Sequence, residues 1–248
     1  MKKLVVLFCA PLLMLPELIV GQTATSITSG NWTNPLTWDC TCVPVNGYTV
    51  NVNHNVSLNT SMGFTSGGIT IGNSGSLIQD ASANRDILMN GGSFYNNGTA
   101  NFRYFMLASG VGYNYGTFNI TAFSTAGLFY NHGNLFMDSM SVSGAFTNIS
   151  TGQLYGDSIR NTGVFANDGR MNVVWATNTN LWYNNNYQSG FSITNLGVFE
   201  NSDTLLLSNS FWNANSFWNK PGSTLIAYND FFNTNTVNNA TFNNEGIV

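Results

Sequence analysis

The chain has 248 residues, a formal net charge of −4 and only seven lysine and arginine residues. Nucleic-acid-binding proteins need clustered cations to neutralise phosphates, so this composition argues against a nucleic-acid partner. A disordered polymer is also excluded, because 43% hydrophobic and 14% aromatic residues are enough to build a core. Asparagine and glycine are abundant and helix-forming charged residues are scarce, which predicts an all-β protein with many turns.

The first 21 residues have the pattern of an export signal. Lys2 and Lys3 form a positive start, an apolar run from Leu4 to Leu15 follows, and we expect cleavage after Gly21. This run is shorter than the roughly 20 residues that a membrane-spanning helix needs. The pattern predicts a signal peptide over 1–21, no membrane span in the mature chain, and a secreted or cell-surface location.

The segment 22–62 differs from the rest and is predicted to be an N-terminal β cap. Between residues 48 and 59, apolar and polar residues alternate, which indicates one long strand or two strands broken near Asn53-His54. His54 falls in the apolar phase and has no visible metal-binding or catalytic partner. We therefore interpret it as a packed or turn residue.

The same segment carries a distinctive motif. Residues 29–44, SGNWTNPLTWDCTCVP, followed by VNVNHNVSL at 50–58, resemble the opening of large secreted bacterial surface proteins. In that family a GxWxxPxTW segment, often with CxCxP, leads into a parallel β-helix, and members are often sorted by the type IX secretion system. The resemblance implies export and a β-helix, and no particular activity. No C-terminal sorting domain is found among these 248 residues, so we expect the solenoid to be truncated there.

Cys40 and Cys42 are the only cysteines after the signal peptide. In an oxidising compartment they can pair across Thr41, although so small a ring is strained. A metal site needs two further ligands, and none lies at suitable spacing. A local disulfide is the favoured interpretation, ahead of free thiols and, third, a metal site.

One pattern, Gly-x-[large apolar]-x-Asn with Asn in place of Gly in two copies, organises most of the chain. Its copies begin at 92, 110, 127, 144, 163, 180, 197 and 215, and we take Gly75 to Gln79 as a degenerate first copy. A coil of short strands fits such a unit, whereas helical repeats need roughly 33 residues. The pattern predicts a single-stranded, right-handed parallel β-helix over 63–248, with coils of about 17–19 residues. The next copy begins only at Ala240, which predicts a looped-out coil around 228–236.

Stacked coils place equivalent residues about 4.8 Å apart, so the repeat predicts two internal columns. The aromatic column comprises Phe94, Phe129, Phe146, Phe165, Trp182, Phe199 and Phe217. The asparagine column comprises Asn96, Asn114, Asn131, Asn148, Asn167, Asn184, Asn201 and Asn219. Because each side-chain amide can donate to the next carbonyl, we interpret these asparagines as a folding device rather than a binding site.

Aligning the units places Asp138 and Asp157 in one column on adjacent coils, together with Arg103, Thr121 and Val174. Two close carboxylates could bind calcium or divide acid and base roles, which makes these aspartates the catalytic candidates. The favoured alternative is two solvated side chains on an outer face. Polysaccharide lyases and hydrolases with this fold need clustered acids and cations, and the cations here are dispersed. We therefore expect no enzymatic activity, no cofactor and no metal.

The remaining candidates are aromatic. Tyr130, Tyr183 and Trp218 lie beside the inner column in the outward phase, where they could stack on sugar rings or on a partner protein. Alternatively they pack on neighbouring coils as a ladder. The expected function is a non-enzymatic secreted or cell-surface solenoid that acts as an adhesin or structural spacer, with a glycan or surface protein as its ligand. The alternative is a β-helix that binds or degrades polysaccharide; the oligomeric state is left open.

Overall fold

The computed structural model describes residues 21–234 and 241–247, so the predicted signal peptide lies outside the described residues except for Gly21. Within this part of the chain, 27 strands form two sheets whose paired strands are parallel. Residues Pro35–Thr37 form one 3-10 helix. Successive coils stack on one another, which confirms the predicted all-β parallel β-helix. No helix of the described residues is long and apolar enough to cross a bilayer.

The strands are numbered in chain order. The first sheet, called the short-strand sheet, takes one short strand from each layer. Its strands are β1 (Thr23–Thr25), β3 (Thr49–Val52), β6 (Gly68–Ile71), β9 (Ser93–Asn96), β11 (Val111–Asn114), β13 (Leu128–Asn131), β15 (Ala145–Asn148), β17 (Val164–Asn167), β19 (Leu181–Asn184), β21 (Val198–Asn201), β24 (Ser216–Asn219) and β27 (Thr241–Asn244).

The second sheet, called the long-strand sheet, receives the rest of each coil. Its strands are β2 (Gly30–Asn31), β4 (Asn55–Leu58), β5 (Met62–Phe64), β7 (Ser76–Gln79), β8 (Asp86–Met89), β10 (Thr99–Leu107), β12 (Thr117–Thr125), β14 (Asn134–Val142), β16 (Gln153–Asn161), β18 (Arg170–Asn178), β20 (Gln188–Asn195), β22 (Thr204–Leu207), β23 (Phe211–Asn213), β25 (Thr224–Ala227) and β26 (Phe231–Asn233).

The nine-residue strands of the central coils turn a corner at their fifth residue. In β10, Phe102 and Phe105 are buried, whereas Arg103 and Tyr104 between them both face outward. Two consecutive outward residues break the period-two alternation of a strand, so the chain changes direction there. In other coils the two halves are separate strands, and β10 accordingly pairs with both β7 and β8. Each coil therefore has three sides.

The interior contains the predicted aromatic column. Its seven members are at most 1% exposed, and from Phe129 to Phe217 successive rings lie 4.2–5.8 Å apart. Between Phe94 and Phe129 the column holds Gly112. A Cβ atom at Gly112 would lie 2.4 Å from the Phe129 ring, so the neighbouring ring occupies the space that glycine leaves. The core is thus packed even where the repeat lacks a ring.

The predicted asparagine column is confirmed as a hydrogen-bonded ladder. From Asn96 to Asn219, every side-chain amide donates to Oδ1 of the asparagine one coil later over 2.7–2.9 Å, and Asn219 donates to Asn244 over 2.8 Å. The amide's other hydrogen reaches a backbone carbonyl, as from Asn96 to Thr117 over 2.9 Å. All eight predicted residues are fully buried, so the ladder satisfies polar groups that burial would otherwise penalise.

A second asparagine ladder runs up the corner where the long strands end. Its members bond in succession over 2.7–2.8 Å and are Asn161, Asn178, Asn195, Asn213 and Asn233. Earlier coils carry Leu107, Thr125 and Val142 at this level. This ladder is not apparent from the repeat pattern, because its column does not keep one residue type throughout.

Two details of the predicted repeat are wrong. Ile69, not Leu77, lies level with Phe94, and Leu77 pairs with Ala100 in the long-strand sheet. The pattern at Gly75 is ambiguous, because a glycine followed by alternating apolar and polar residues precedes strands in both sheets. The predicted loop at 228–236 contains strand β26, which pairs with β23. Positions 235 and 236 of that loop lie outside the described residues.

The segment 22–62 joins the same two sheets. Strands β1 and β2 form the first layer, where Trp32 and Trp38 are buried with their rings 4.9 Å apart. Strands β3 and β4 are separated at Asn53-His54, and His54 bonds through its Nδ1 to the Ser26 carbonyl at 2.8 Å, as a turn residue. The boundary predicted at residue 62 falls inside β5.

A disulfide joins Cys40 and Cys42 in the loop after this first layer. The intervening Thr41 has φ +50° and donates its backbone N–H to the Trp38 carbonyl over 3.0 Å. Of the three interpretations that the sequence left open, the structure contains the local disulfide.

Candidate binding groove

An open groove of about 500 Å³ crosses the outer face of the long-strand sheet from β10 to β18. Alternation along each strand turns every second side chain outward, and the parallel register stacks these side chains coil upon coil. One column of the groove consists of Asn101, Asn119, Phe136, Tyr155 and Asn172. The groove therefore has an aromatic centre with amide side chains on both sides of it along the solenoid.

The aromatic centre is a pair of stacked rings. Phe136 and Tyr155 lie 5.3 Å apart with an angle of 11° between their planes, and Phe136 is 40% exposed. The Tyr155 hydroxyl donates to Gln153 Oε1 over 2.8 Å, which holds the ring in place. Because the two rings stack on each other, the platform that they offer to the groove is an apolar strip against which the apolar face of a ligand can pack.

Asp138 and Asp157 stand beside this platform, at the bend of their strands. Met137 pairs with Gly156 and Ser139 with Ser158, so the two aspartates are level on adjacent coils. Both are exposed, because the fifth residue of each long strand points outward. The same bend column contains Arg103, Thr121 and Val174, in agreement with the sequence alignment.

The floor of the groove is made by residues of the inner face near the bend. Phe102, Ile120 and Met137 line it and are almost completely buried. At Gly156 a side chain is missing, and a Cβ atom there would lie 2.8 Å from the Met137 side chain. The Met137 side chain therefore occupies the space that Gly156 leaves.

The electrostatic character of the groove is acidic. Asp138 and Asp157 are its charged lining residues, and no lysine, arginine or histidine of the described chain lines it. Arg103 occupies the bend column, but it forms a two-point ion pair with Asp86, in which Nε donates to Oδ1 over 2.8 Å. This pairing raises the pKa of Arg103 and directs its charge away from the aspartates.

The groove contributes two carboxylates, those of Asp138 and Asp157. Within the described residues, no three His, Cys, Asp or Glu side chains are grouped as a metal site. The two aspartates can accept hydrogen bonds from a hydroxylated ligand, and the nearby asparagine amides can both donate and accept.

The predicted binding aromatics lie elsewhere, on the outer face of the short-strand sheet. Tyr130 stacks on Tyr113 at 5.2 Å, whereas Trp218 is 37% exposed with Lys220 Nζ 5.2 Å from its ring centre. Tyr183 shares their column, but coils carrying smaller or charged residues separate the three. The structure therefore does not bring these candidates together. The ladder interpretation describes Tyr130.

His132 occupies a turn next to this tyrosine ladder. Its ring stacks on Tyr115 at 4.5 Å, and burial lowers its pKa. The imidazole is thus part of a cluster of stacked aromatic rings that also includes Tyr113.

A separate trough of about 620 Å³ lies on the second halves of the long strands. Small hydroxyl side chains, among them Ser139 and Ser158, form much of it. Trp175, 52% exposed, and the exposed Arg160 also line it. Its cation distinguishes it from the acidic groove on the other side of the bend.

No family model, curated protein or solved structure matches this chain. Phe136 and Tyr155 were not selected from the sequence, although aligning the units that contain Asp138 and Asp157 places these rings at one position, two residues before each aspartate.

Proposed function

We propose that the chain is a surface-displayed, non-enzymatic solenoid that binds a carbohydrate chain in the groove and so acts as an adhesin. The proposal depends on one observation: the stacked Phe136 and Tyr155 rings lie in an open groove among amide and carboxylate side chains. A rigid parallel solenoid also suits a structural spacer. The two roles are compatible, since a spacer can carry a binding face.

The chemistry of the groove matches that of sugars. A pyranose ring has an apolar face, which stacks on aromatic rings, and a rim of hydroxyl groups, which need donors and acceptors. Asn119 and Asn172 can provide both from the two sides of the platform, and the aspartates can accept from hydroxyls. Apolar ligands without hydroxyls would leave these polar groups unpaired.

The shape of the groove favours a polymer over a single sugar. The groove is open and extends over five coils, and equivalent side chains repeat at about 4.8 Å. A second hollow, which shares Asn172 and reaches Tyr228, continues the same face. A linear glycan could therefore lie along the solenoid axis and contact several coils at once.

Export and surface display are supported by the N-terminal sequence. The apolar run after Lys2 and Lys3 has the form of a signal peptide, and residues 29–44 resemble the opening of secreted bacterial surface proteins. An oxidising extracellular location also fits the disulfide between Cys40 and Cys42.

The test is a glycan-array screen of the chain without residues 1–21, followed by titration of the best oligosaccharide. We expect Phe136→Ala and Tyr155→Ala each to weaken binding roughly tenfold, because each removes half of the platform. Tyr130→Ala and Trp218→Ala remove aromatic rings from the other sheet and should leave binding unchanged. Loss of binding in this second pair alone would assign recognition to the short-strand sheet and overturn the groove. If no glycan is bound, the spacer role remains and the adhesin proposal fails.

A second candidate function, glycan cleavage, is favoured by the level placement of Asp138 and Asp157 on adjacent coils. Two neighbouring carboxylates are the minimum equipment for glycoside hydrolysis. Incubation of the bound glycan with the chain, with assay of new reducing ends, decides between binding and cleavage. Product formation that disappears in Asp157→Asn would replace the adhesin proposal by an enzyme.

A further inference from the structure

On the basis of the proposed carbohydrate binding, we propose that the groove selects glycans that carry free amino groups, such as glucosamine polymers, and rejects polymers of uronic acids. The groove then discriminates by charge, in addition to the stacking and hydrogen bonding that any sugar would provide.

The carboxylates in the groove are not neutralised by the protein. Asp138 and Asp157 are exposed, and the ion pairs of the described residues involve other acids. Their charge is therefore available to a ligand on the platform that Phe136 and Tyr155 form. An ammonium group beside two carboxylates is attracted and can donate hydrogen bonds to both, whereas a third carboxylate is repelled.

The cations of the described chain are committed elsewhere. Arg85 pairs with Asp80, Arg103 with Asp86 and Lys220 with Glu200, while Arg170 lies over the Tyr187 ring at 4.9 Å. Arg160 lines the trough on the other side of the bend. No described cation is thus placed in the groove to balance the aspartates or to receive an anionic sugar.

The size of the effect follows from solvent exposure. Exposed charge pairs contribute modestly, so each carboxylate should change the dissociation constant for an amino sugar by roughly two- to fivefold, and the pair by roughly tenfold. The preference should shrink as salt is added, because exposed charges are screened.

The experiment compares oligomers of glucosamine, N-acetylglucosamine and glucuronate of equal length, at a pH where amines and carboxylates are both charged. For the unmodified chain without residues 1–21, we expect the glucosamine oligomer to bind roughly tenfold more tightly than the N-acetylated one. The glucuronate oligomer should bind most weakly. The isosteric double variant Asp138→Asn with Asp157→Asn should bind the first two equally, with the N-acetylated oligomer unaffected. The control, Asp203→Asn with Asp230→Asn, has the same net charge as the double variant and should retain the preference.

The outcomes separate this inference from the proposed function. Equal binding of the charged and neutral oligomers, sensitive to Tyr155→Ala, would sink the charge selectivity and leave carbohydrate binding intact. Absence of binding for all three, with none found in the array, would remove the proposed function itself. Tight glucuronate binding that is lost in Arg160→Gln would transfer recognition to the trough and overturn the inference.

Discussion

The inner and outer columns of this solenoid follow different rules, although they alternate along the same strands. Inside, Phe146 and Phe165 continue a column of rings; outside, the next residues of the same strands are Thr147 and Ala166. An inner residue contacts equivalent residues above and below it in a closed space, so its column is restricted to residues that fill or pair within that space, and the aromatic column and the asparagine ladder each largely repeat one type. An outer residue meets water, and its column varies. A residue type that is repeated along an inner column indicates a contribution to stability. A local change of residue type in an outer column, such as the ring pair between asparagines in the groove, indicates where a ligand can be recognised.

The largest effect is expected inside the aromatic column. Phe146 is fully buried and stacks on Phe129 and Phe165 at 5.8 and 5.2 Å. Phe146→Ala should lower the free energy of unfolding by about 3–5 kcal/mol, because it removes apolar contacts and leaves a cavity. Urea denaturation measures the change, and Thr147→Ala on the outer face is the control. Equal effects of the two variants would abolish the distinction between inner and outer columns.

The next effect concerns position within the asparagine ladder. Asn148 accepts from Asn131 and donates to Asn167, whereas Asn96 donates only, since Ile71 precedes it and its Oδ1 has no partner. Asn148→Ala should cost roughly 2–4 kcal/mol of unfolding free energy, because buried partners lose bonds on both sides. Asn96→Ala should cost less. The same denaturation assay would contradict a directional ladder if the two costs were equal or reversed.

A smaller effect is expected in the outer tyrosine ladder. Tyr113 stacks between Tyr95 and Tyr130, at 5.1 and 5.2 Å, but is only partly buried. Tyr113→Ala should lower the free energy of unfolding by about 1 kcal/mol, and Tyr113→Phe by much less, since the ring rather than the hydroxyl makes the stack. A cost matching that of Phe146→Ala would mean that this outer column is structurally equivalent to the inner one.

The smallest effect is a pH dependence at His132. Burial lowers the pKa of its ring below the usual 6.5, so the unfolded state binds a proton more readily. Its contribution to stability is present above pH 6.5 and is lost as the pH falls through the lowered pKa. The midpoint temperature of thermal unfolding should therefore fall slightly more on acidification for the unmodified chain than for His132→Asn. Parallel curves for the two proteins would show that the stacked ring titrates normally.

What could be predicted from the sequence follows the same division. The column from Phe94 to Phe217 and the ladder from Asn96 to Asn219 were predictable, because vertical stacking enforces one residue type at a regular spacing. The second ladder was missed, since its corner also accepts Leu107 and Val142. The alternation of apolar and polar residues after Gly75 could not show which sheet this segment joins, because the strands of both sheets alternate in the same way.

The groove was only partly predictable. The level placement of Asp138 and Asp157 came from aligning two units, and their pairing register agrees with it. Their environment did not follow, because it depends on the bend that turns two consecutive residues outward. The platform of Phe136 and Tyr155 results from that geometry and from differences between adjacent coils, which a repeat consensus averages away.

The asparagine ladder also has a direction. Each side-chain amide from Asn96 to Asn219 donates its ladder hydrogen bond to the asparagine of the following coil, and Asn244 is the last acceptor. None of these ladder bonds runs in the opposite direction. A completed coil therefore presents an asparagine N–H donor at its edge, and the next coil supplies the side-chain oxygen that accepts from it. Winding can therefore proceed from the N-terminal coils toward the C-terminal ones, with each coil acting as the template for the next.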